Sequence, residues 1–328
     1  MIYFAAFLAT GGLVVFAGVA LARHADAIAA ATGLGRLWTG SLLLAGATSL
    51  PEFATDVSAV RLGAVDLAVG DLFGSSLANM LILAVIDFLP PRGRVMERAA
   101  FDHALAACLA MGLNALAAVL VFLGTSTAVL WVSPASVLLC ALYVGGTRAV
   151  YRHATRNGLP PAAPGSAPPL GQAVRGFTGA ALLILLAAPA FAWSARGLAE
   201  SSGLGNTFVG TWLVGLATSL PELVACLAAV RLGAYDLAVG TLFGSNAFNM
   251  ALFLPLDLAQ RGSLFAALDP GHALTGLFAV VLMALGLSGI VYRAKREYAL
   301  LEPGSWLMLA AYIAAIAVLY FRATAASA

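Results

Sequence analysis

The chain has 328 residues, of which 62% are hydrophobic and only 10% charged, with a formal net charge of +2. A soluble domain carries about 25% charged residues, so an ordinary water-soluble fold is excluded. The small net charge says nothing about nucleic acid, but no basic patch is interleaved with aromatics, so no nucleic-acid partner is expected; the composition is that of an integral membrane protein whose expected partner is membrane lipid.

A helix that crosses the hydrocarbon needs about 20 apolar residues. On that measure ten spans are predicted, at about 2–22, 37–59, 67–89, 99–123, 127–147, 174–198, 207–229, 237–258, 271–292 and 304–321. The first begins without a basic leader and is too long for the apolar core of a signal peptide, so it is expected to be a retained span. Between the fifth and sixth spans the pattern breaks. Five of the chain's 14 prolines fall between Pro160 and Pro169, and a stretch so rich in Pro, Gly and Ala is expected to be a tether. It divides the chain into 1–147, with five spans, a linker at 148–173, and 174–328, with five more. Cys108, Cys140 and Cys226 stand singly in apolar segments and read as inert thiols.

The halves are copies. The stretch Ala47–Asp87 returns as Ala217–Asp257 at an ungapped offset of 170, with 24 of 41 positions identical. Gly33-Leu34-Gly35 and Gly40 match Gly203-Leu204-Gly205 and Gly210 at the same offset. A half with an odd number of spans delivers its copy to the membrane from the opposite side. The expected fold is therefore an all-α membrane protein of ten transmembrane helices in two inverted five-helix repeats, an architecture that places its site near the midplane. With the termini outside the cell membrane and the linker cytoplasmic, 13 of the 17 Lys and Arg residues fall on the cytoplasmic side, as the positive-inside rule requires.

Each copy sets polar groups inside an apolar run. Glu52 and Glu222 lie deep in such runs, where a charge costs at least ~2.5–3.5 kcal/mol and ordinarily marks an ion or proton pathway. Each follows a proline, which has no N–H and so frees the carbonyl of Ala47 or Ala217. Thr48 shares a helical face with Glu52, and Thr218 with Glu222; Ser75 with Asn79 and Ser245 with Asn249 repeat the spacing on the third and eighth spans. The convergent groups are carboxylates, hydroxyls, amide oxygens and carbonyls. Hard cations such as Ca²⁺ take all-oxygen shells, whereas transition metals favour nitrogen and sulfur. Two carboxylates balance one divalent or two monovalent ions. Among the other acids, Asp56 and Asp71 read equally as accessory carboxylates or as hydrated residues, and Asp87 and Asp257 as solvated span ends. Asp66 and Asp236 read as helix N-terminal charges favoured by the dipole. The four histidines have no assigned role.

The paired ATSLPE…GxxxGS…N segments resemble the α-repeats of the cation/calcium exchanger superfamily, in its prokaryotic sodium/calcium exchanger-like branch. The resemblance covers nearly the whole chain. It implies a ten-helix antiporter with four ion sites between spans 2, 3, 7 and 8, and first and sixth spans that slide as a gate. It casts Glu52 and Glu222 as the central Ca²⁺ carboxylates. Thr48, Ser49, Thr218, Ser219, Ser75 and Ser245, with backbone carbonyls near Ala45 and Gly215, complete the shells. The chain departs from the family where Asn249 replaces an Asp common in the second repeat, where Ala47 and Ala217 replace Gly, and where Ser76 replaces Asn. The function expected is Ca²⁺/Na⁺ exchange by alternating access at a shared site, with Ca²⁺/H⁺ exchange through the same glutamates as the alternative and a monomer as the functional unit. The transported ions are Ca²⁺ and Na⁺ or H⁺, and no cofactor is expected. A passive channel would use similar ligands without coupling. An enzyme is disfavoured, because Ser49 and Ser219 have no His or Lys base within their motifs.

Overall fold

The computed structural model describes residues 2–32, 45–89, 95–98, 103–156, 169–292 and 303–327. Among these, every regular element is helical apart from an isolated bridge between Val129 and Val132. In the first half the elements are α1 (Ile2–Thr32), α2 (Ala45–Thr48), α3 (Leu50–Arg61), α4 (Val65–Asp87), α5 (Val95–Arg98), α6 (His103–Leu123) and α7 (Pro134–Arg156). The second half has α8 (Leu170–Ser202), α9 (Gly205–Val209), a π-helical turn (Gly210–Val214), α10 (Gly215–Thr218), α11 (Leu220–Arg231), α12 (Tyr235–Ala251), α13 (Phe253–Gln260), α14 (His272–Tyr292) and α15 (Pro303–Ser327).

Eight of the described helical stretches are long and apolar enough to cross a membrane. The expected second and fifth spans are not among them. The second is described only from Ala45, and its positions 37–44 lie outside the described residues. The fifth starts at Pro134 rather than 127, because Leu130 and Trp131 turn the chain at positive φ (51° and 68°). Ser133 then caps the helix, its Oγ accepting the Ala135 N–H at 3.2 Å, and Pro134 supplies a φ already suited to the first turn. Of the expected linker, 148–156 continue α7 and 170–173 begin α8, while 157–168 lie outside the described residues. Gly33, Leu34, Gly35 and Gly40 also lie outside them.

The duplication is visible in local structure. Both α3 and α11 have 12 residues and begin just after a serine, Ser49 or Ser219. Each ends in a turn through a left-handed glycine, Gly63 at φ +77° and Gly233 at +71°, from which α4 and α12 depart. The prolines account for the breaks at Ser49 and Ser219. Pro51 and Pro221 remove an N–H donor and crowd the carbonyl four residues earlier, so the helix stops and restarts.

The two central helices, α4 and α12, are almost wholly buried. α1 and α8 pack along each other; α1 lies against α2 and α11, and α8 against α3. The outer helices turn large apolar side chains outward, Phe16 at 68% exposure, Leu186 at 78% and Phe321 at 70%. Water would penalise such a surface, whereas acyl chains would not. At about 1.5 Å per residue, the 33-residue α8 is roughly 50 Å long and must tilt or project beyond a ~30 Å hydrocarbon layer.

Close backbone approach sets the centre. A Cβ on Gly74 would stand 2.1 Å from the Thr211 carbonyl oxygen, and one on Gly215 2.7 Å from the Gly74 carbonyl carbon. Only glycine lets α4 meet the π-turn and α10 at this distance.

Four acids tie the halves together, and two of them correct the sequence reading. Asp87 and Asp257 are not solvated; both are fully buried. Asp87 accepts the Met96 N–H at 3.0 Å and the Ser305 hydroxyl at 2.6 Å. Asp257 accepts the Leu264 N–H at 2.8 Å, the Ser136 hydroxyl at 2.7 Å and the Ser133 N–H, so it sits at the start of α7. Asp66 and Asp236 do stand in first helical turns, but each also has a histidine partner from the other half. His272 Nε2 lies 3.1 Å from Asp66, and His103 Nε2 lies 3.1 Å from Asp236.

Gly74→Ala is expected to lower the thermal midpoint of the detergent-solubilised protein, because overpacking against a backbone typically costs ~1–3 kcal/mol. Gly112→Ala, where a Cβ would meet nothing within 4 Å, should leave it unchanged or raise it slightly. A thermal melt of the two variants beside the parent decides the point.

Candidate cation site

The serine breaks place Glu52 and Glu222 in the first turns of α3 and α11. Both side chains are fully buried. Neither Glu52 oxygen has a hydrogen-bond partner. Glu222 Oε1 accepts from Ser245 Oγ at 3.5 Å, the Thr48 hydroxyl reaches the same carboxylate from the first repeat, and Oε2 has no partner.

The expected hydroxyl and amide groups are all fully buried or within 1% of it, and they fall into two sets. Ser49 Oγ, Ser219 Oγ, Asn79 Oδ1 and both polar atoms of the Asn249 side chain have no partner. Thr218, Ser75 and Asn79 Nδ2 are engaged. Thr218 donates to Asp71 Oδ1 at 2.9 Å and Ser75 donates to the same oxygen at 3.0 Å, their own oxygens being 3.3 Å apart. Asn79 Nδ2 donates to Asn246 Oδ1 at 2.9 Å. The Gly215 carbonyl accepts the Ser219 N–H at 3.3 Å and has the Thr218 hydroxyl 3.5 Å away. Ala45 opens α2.

Four contributors were not assigned from the sequence. Asp56 and Asp71, read evenly between a site and a hydrated surface, are both fully buried, so neither is a surface residue. Asn246 links the halves: its Nδ2 donates to the Ser76 carbonyl at 3.3 Å, and its own carbonyl accepts from Asn114 Nδ2 at 3.2 Å. Asn114 was the overlooked residue. A lone amide in the middle of an apolar span was the available signal.

Buried polar atoms are nearly always hydrogen-bonded. A fully buried concentration of unanswered carboxylate, hydroxyl and amide oxygens therefore has the chemistry of a cation cavity. Among the described residues no three Asp, Glu, His or Cys side chains converge closely enough to hold a metal by themselves. Any ion here must draw on hydroxyl, amide and backbone oxygens as well, which suits hard cations.

The family model for the sodium/calcium exchanger protein matches residues 2–151 and 173–321, both halves of the chain. The chain belongs to this family. It is thus a multi-pass integral membrane protein of an antiporter family that moves calcium. The sodium/calcium exchanger MaX1 of Methanosarcina acetivorans is 37% identical over 89 residues, a match that spans 25% of each protein. In fold, the chain resembles the sodium–calcium exchanger NCX_Mj in crystals soaked with Na⁺ and Sr²⁺, with a TM-score of 0.64, 22% identity and coverage of 96% of this chain and 98% of that one. It resembles the H⁺/Ca²⁺ exchanger CAX equally, with a TM-score of 0.65, 15% identity and coverage of 98% and 88%.

Asn246→Ala should lower stability in detergent by about 1–3 kcal/mol, because it strips Asn79 Nδ2 and the Ser76 carbonyl of their partner. A thermal melt measures this. A midpoint equal to the parent's would mean that the amide bridge contributes nothing across the repeats.

Proposed function

We propose that the protein exchanges Ca²⁺ for Na⁺ across the cell membrane by alternating access, with both ions competing for one cavity between the repeats. The observation that carries this reading is the glutamate pair: one residue from each repeat, both fully buried, with three of their four carboxylate oxygens unanswered. Two ionised glutamates in an apolar bundle need two positive charges, and one Ca²⁺ or two Na⁺ supply them. Thr48, Ser49, Thr218, Ser219, Ser75, Ser245, Asn79 and Asn249, with carbonyls near Ala45 and Gly215, are the proposed remaining ligands. An empty, charged pair is costly to enclose, so the occluded state forms only when loaded, and that rule couples the two ion flows.

The same reading includes ten spans in two inverted repeats, 1–147 and 174–328, joined by a cytoplasmic linker, with both termini outside and a monomer as the working unit. α1 and α8 are the proposed sliding gate. Gly18 on α1 lies against both motif prolines, a Cβ there falling 2.5 Å from Pro221 Cγ and 3.1 Å from Pro51 Cγ. A shift of α1 would therefore act on both broken helices together.

Proton-coupled Ca²⁺ exchange is the second reading. Asn249 favours it, since a neutral amide there lowers the cavity's demand for cations.

Proteoliposomes loaded with Na⁺ and diluted into Na⁺-free buffer at equal pH are expected to accumulate labelled Ca²⁺. Glu52→Gln and Glu222→Gln should each reduce uptake to the level of protein-free liposomes. Uptake that ignores Na⁺ and follows an imposed pH gradient would select the proton-coupled reading. Equal flux with no gradient of either ion would overturn exchange in favour of a channel.

A further inference from the structure

Three helix ends meet on the face where Asp66 pairs with His272: the turn from α8 into α9, the start of α14 and the last turns of α15. They enclose a cavity of about 210 Å³, lined in part by Thr207, Thr211, Asp269, Leu319 and Arg322. One water takes ~30 Å³, so the space suits a group of several heavy atoms better than a bare ion. The two charged residues on its wall have opposite signs. Arg322 Nη2 lies 3.4 Å from Asp269 Oδ1, with the side chains 48% and 44% exposed. A half-exposed pair at that distance is weak, so a ligand that answers both charges can part it at small cost.

The wall is held in place by backbone. Asp269 Oδ1 accepts the Gly271 N–H at 2.7 Å, and the Asp269 N–H donates to Asp66 at 2.8 Å. The Arg322 guanidinium lies over Gly271, where a Cβ would stand 2.7 Å from Cζ. On the inner wall Thr211 is only 3% exposed, and its Oγ1 has no partner among the described residues. Buried hydroxyls are nearly always hydrogen-bonded, so this one calls for a ligand group. The cavity also lies at headgroup depth. Beside it Trp212, Phe208, Tyr320 and Phe321 form a chain of ring contacts with centroids 5.8, 5.7 and 5.8 Å apart. Trp212, Tyr320 and Phe321 are exposed, and Trp and Tyr gather where a bilayer meets water.

We infer that this cavity binds the headgroup of a zwitterionic phospholipid with a primary amine, its phosphate on Arg322 and Thr211 and its ammonium on Asp269. Charge selects the class. A purely anionic head would suit Arg322 but stand against Asp269, whereas a zwitterion meets both. Guanidinium forks a phosphate with two N–H groups. A primary ammonium donates hydrogen bonds to a carboxylate, and a quaternary one has no N–H to give. The exposed rings alongside offer acyl chains an apolar surface, which favours a lipid over its free headgroup. In the proposed topology this is the outer leaflet. None of these side chains is a proposed cation ligand, so the site stands or falls apart from the exchange reading.

The test is native mass spectrometry of the purified, delipidated full chain with phosphatidylethanolamine, phosphatidylcholine or phosphatidylglycerol at equal concentration, with thermal melts in parallel. One phosphatidylethanolamine retained per chain, in preference to the other two lipids, and a raised melting midpoint are expected. Arg322→Gln and Asp269→Asn should each lower that retention about tenfold, equivalent to losing one charge-assisted hydrogen bond. Thr211→Val should lower it too, yet leave the lipid-free midpoint unchanged or higher, since it removes a hydroxyl that the protein does not answer. A threonine with a merely structural role would not separate those two readouts. Equal retention of the three lipids, or undiminished retention in the variants, would overturn the site. Soluble phosphoethanolamine or inorganic phosphate raising the midpoint as much as the lipid would overturn it in favour of a site for free anions. If a charge variant gives no single gel-filtration peak, Thr211→Val decides.

Discussion

A carboxylate enclosed in an apolar bundle has to be answered, and the way each one is answered divides this molecule into scaffold and cavity. Four acids are satisfied by the protein itself. Asp87 and Asp257 each take a serine hydroxyl and backbone N–H groups, and Asp66 and Asp236 each take a histidine. In every case a donor comes from the opposite half of the chain. The other four, Glu52, Asp56, Asp71 and Glu222, are fully buried and keep oxygens with no partner. The first set ties the repeats together, and the second keeps open oxygens at the centre of the bundle.

The two sets differ in geometry for a physical reason. The satisfied acids stand near helix ends, where unpaired N–H groups are on offer and a negative charge near an N-terminus is favoured. The unanswered acids lie where the broken helices of the two repeats pack against α4 and α12. Proline makes this possible: by interrupting the helix at Ser49 and Ser219, it sets each glutamate in a first turn at the centre of the bundle rather than at its edge. Glycine completes the arrangement, because Gly74 and Gly215 bring α4 and α10 to backbone contact, so oxygens from both repeats share one small volume.

Symmetry also explains where the molecule is not symmetric. Duplicated segments fold alike, as the matched helices after Ser49 and Ser219 show. Substitution has then altered single positions within a common frame. Asp56 and Asp71 stand at positions where the second repeat has Cys226 and Thr241, and Asn249 carries no charge.

Much of this was legible in the sequence. Hydropathy is a local property, so membrane spans show directly in composition. Duplication is a matter of residue identity, so the two motifs identify themselves. An ionisable residue behind a proline in an apolar run is anomalous wherever it occurs, and Glu52 and Glu222 stood out for that reason. The partners of the remaining acids were hidden. Asp66 meets a histidine 206 positions away, and Asp87 a serine 218 positions away. Asp87 and Asp257 looked hydrated because they lie near span ends, and nothing in their own neighbourhood says which helix will cover them. Asp56 and Asp71 were undecided for the same cause. Burial and pairing depend on which helices lie opposite, and that is set by close packing among distant segments. The chain by itself determined its medium, its duplication and its two central glutamates; only the tertiary structure decided which acids are spent on holding the fold and which are left open.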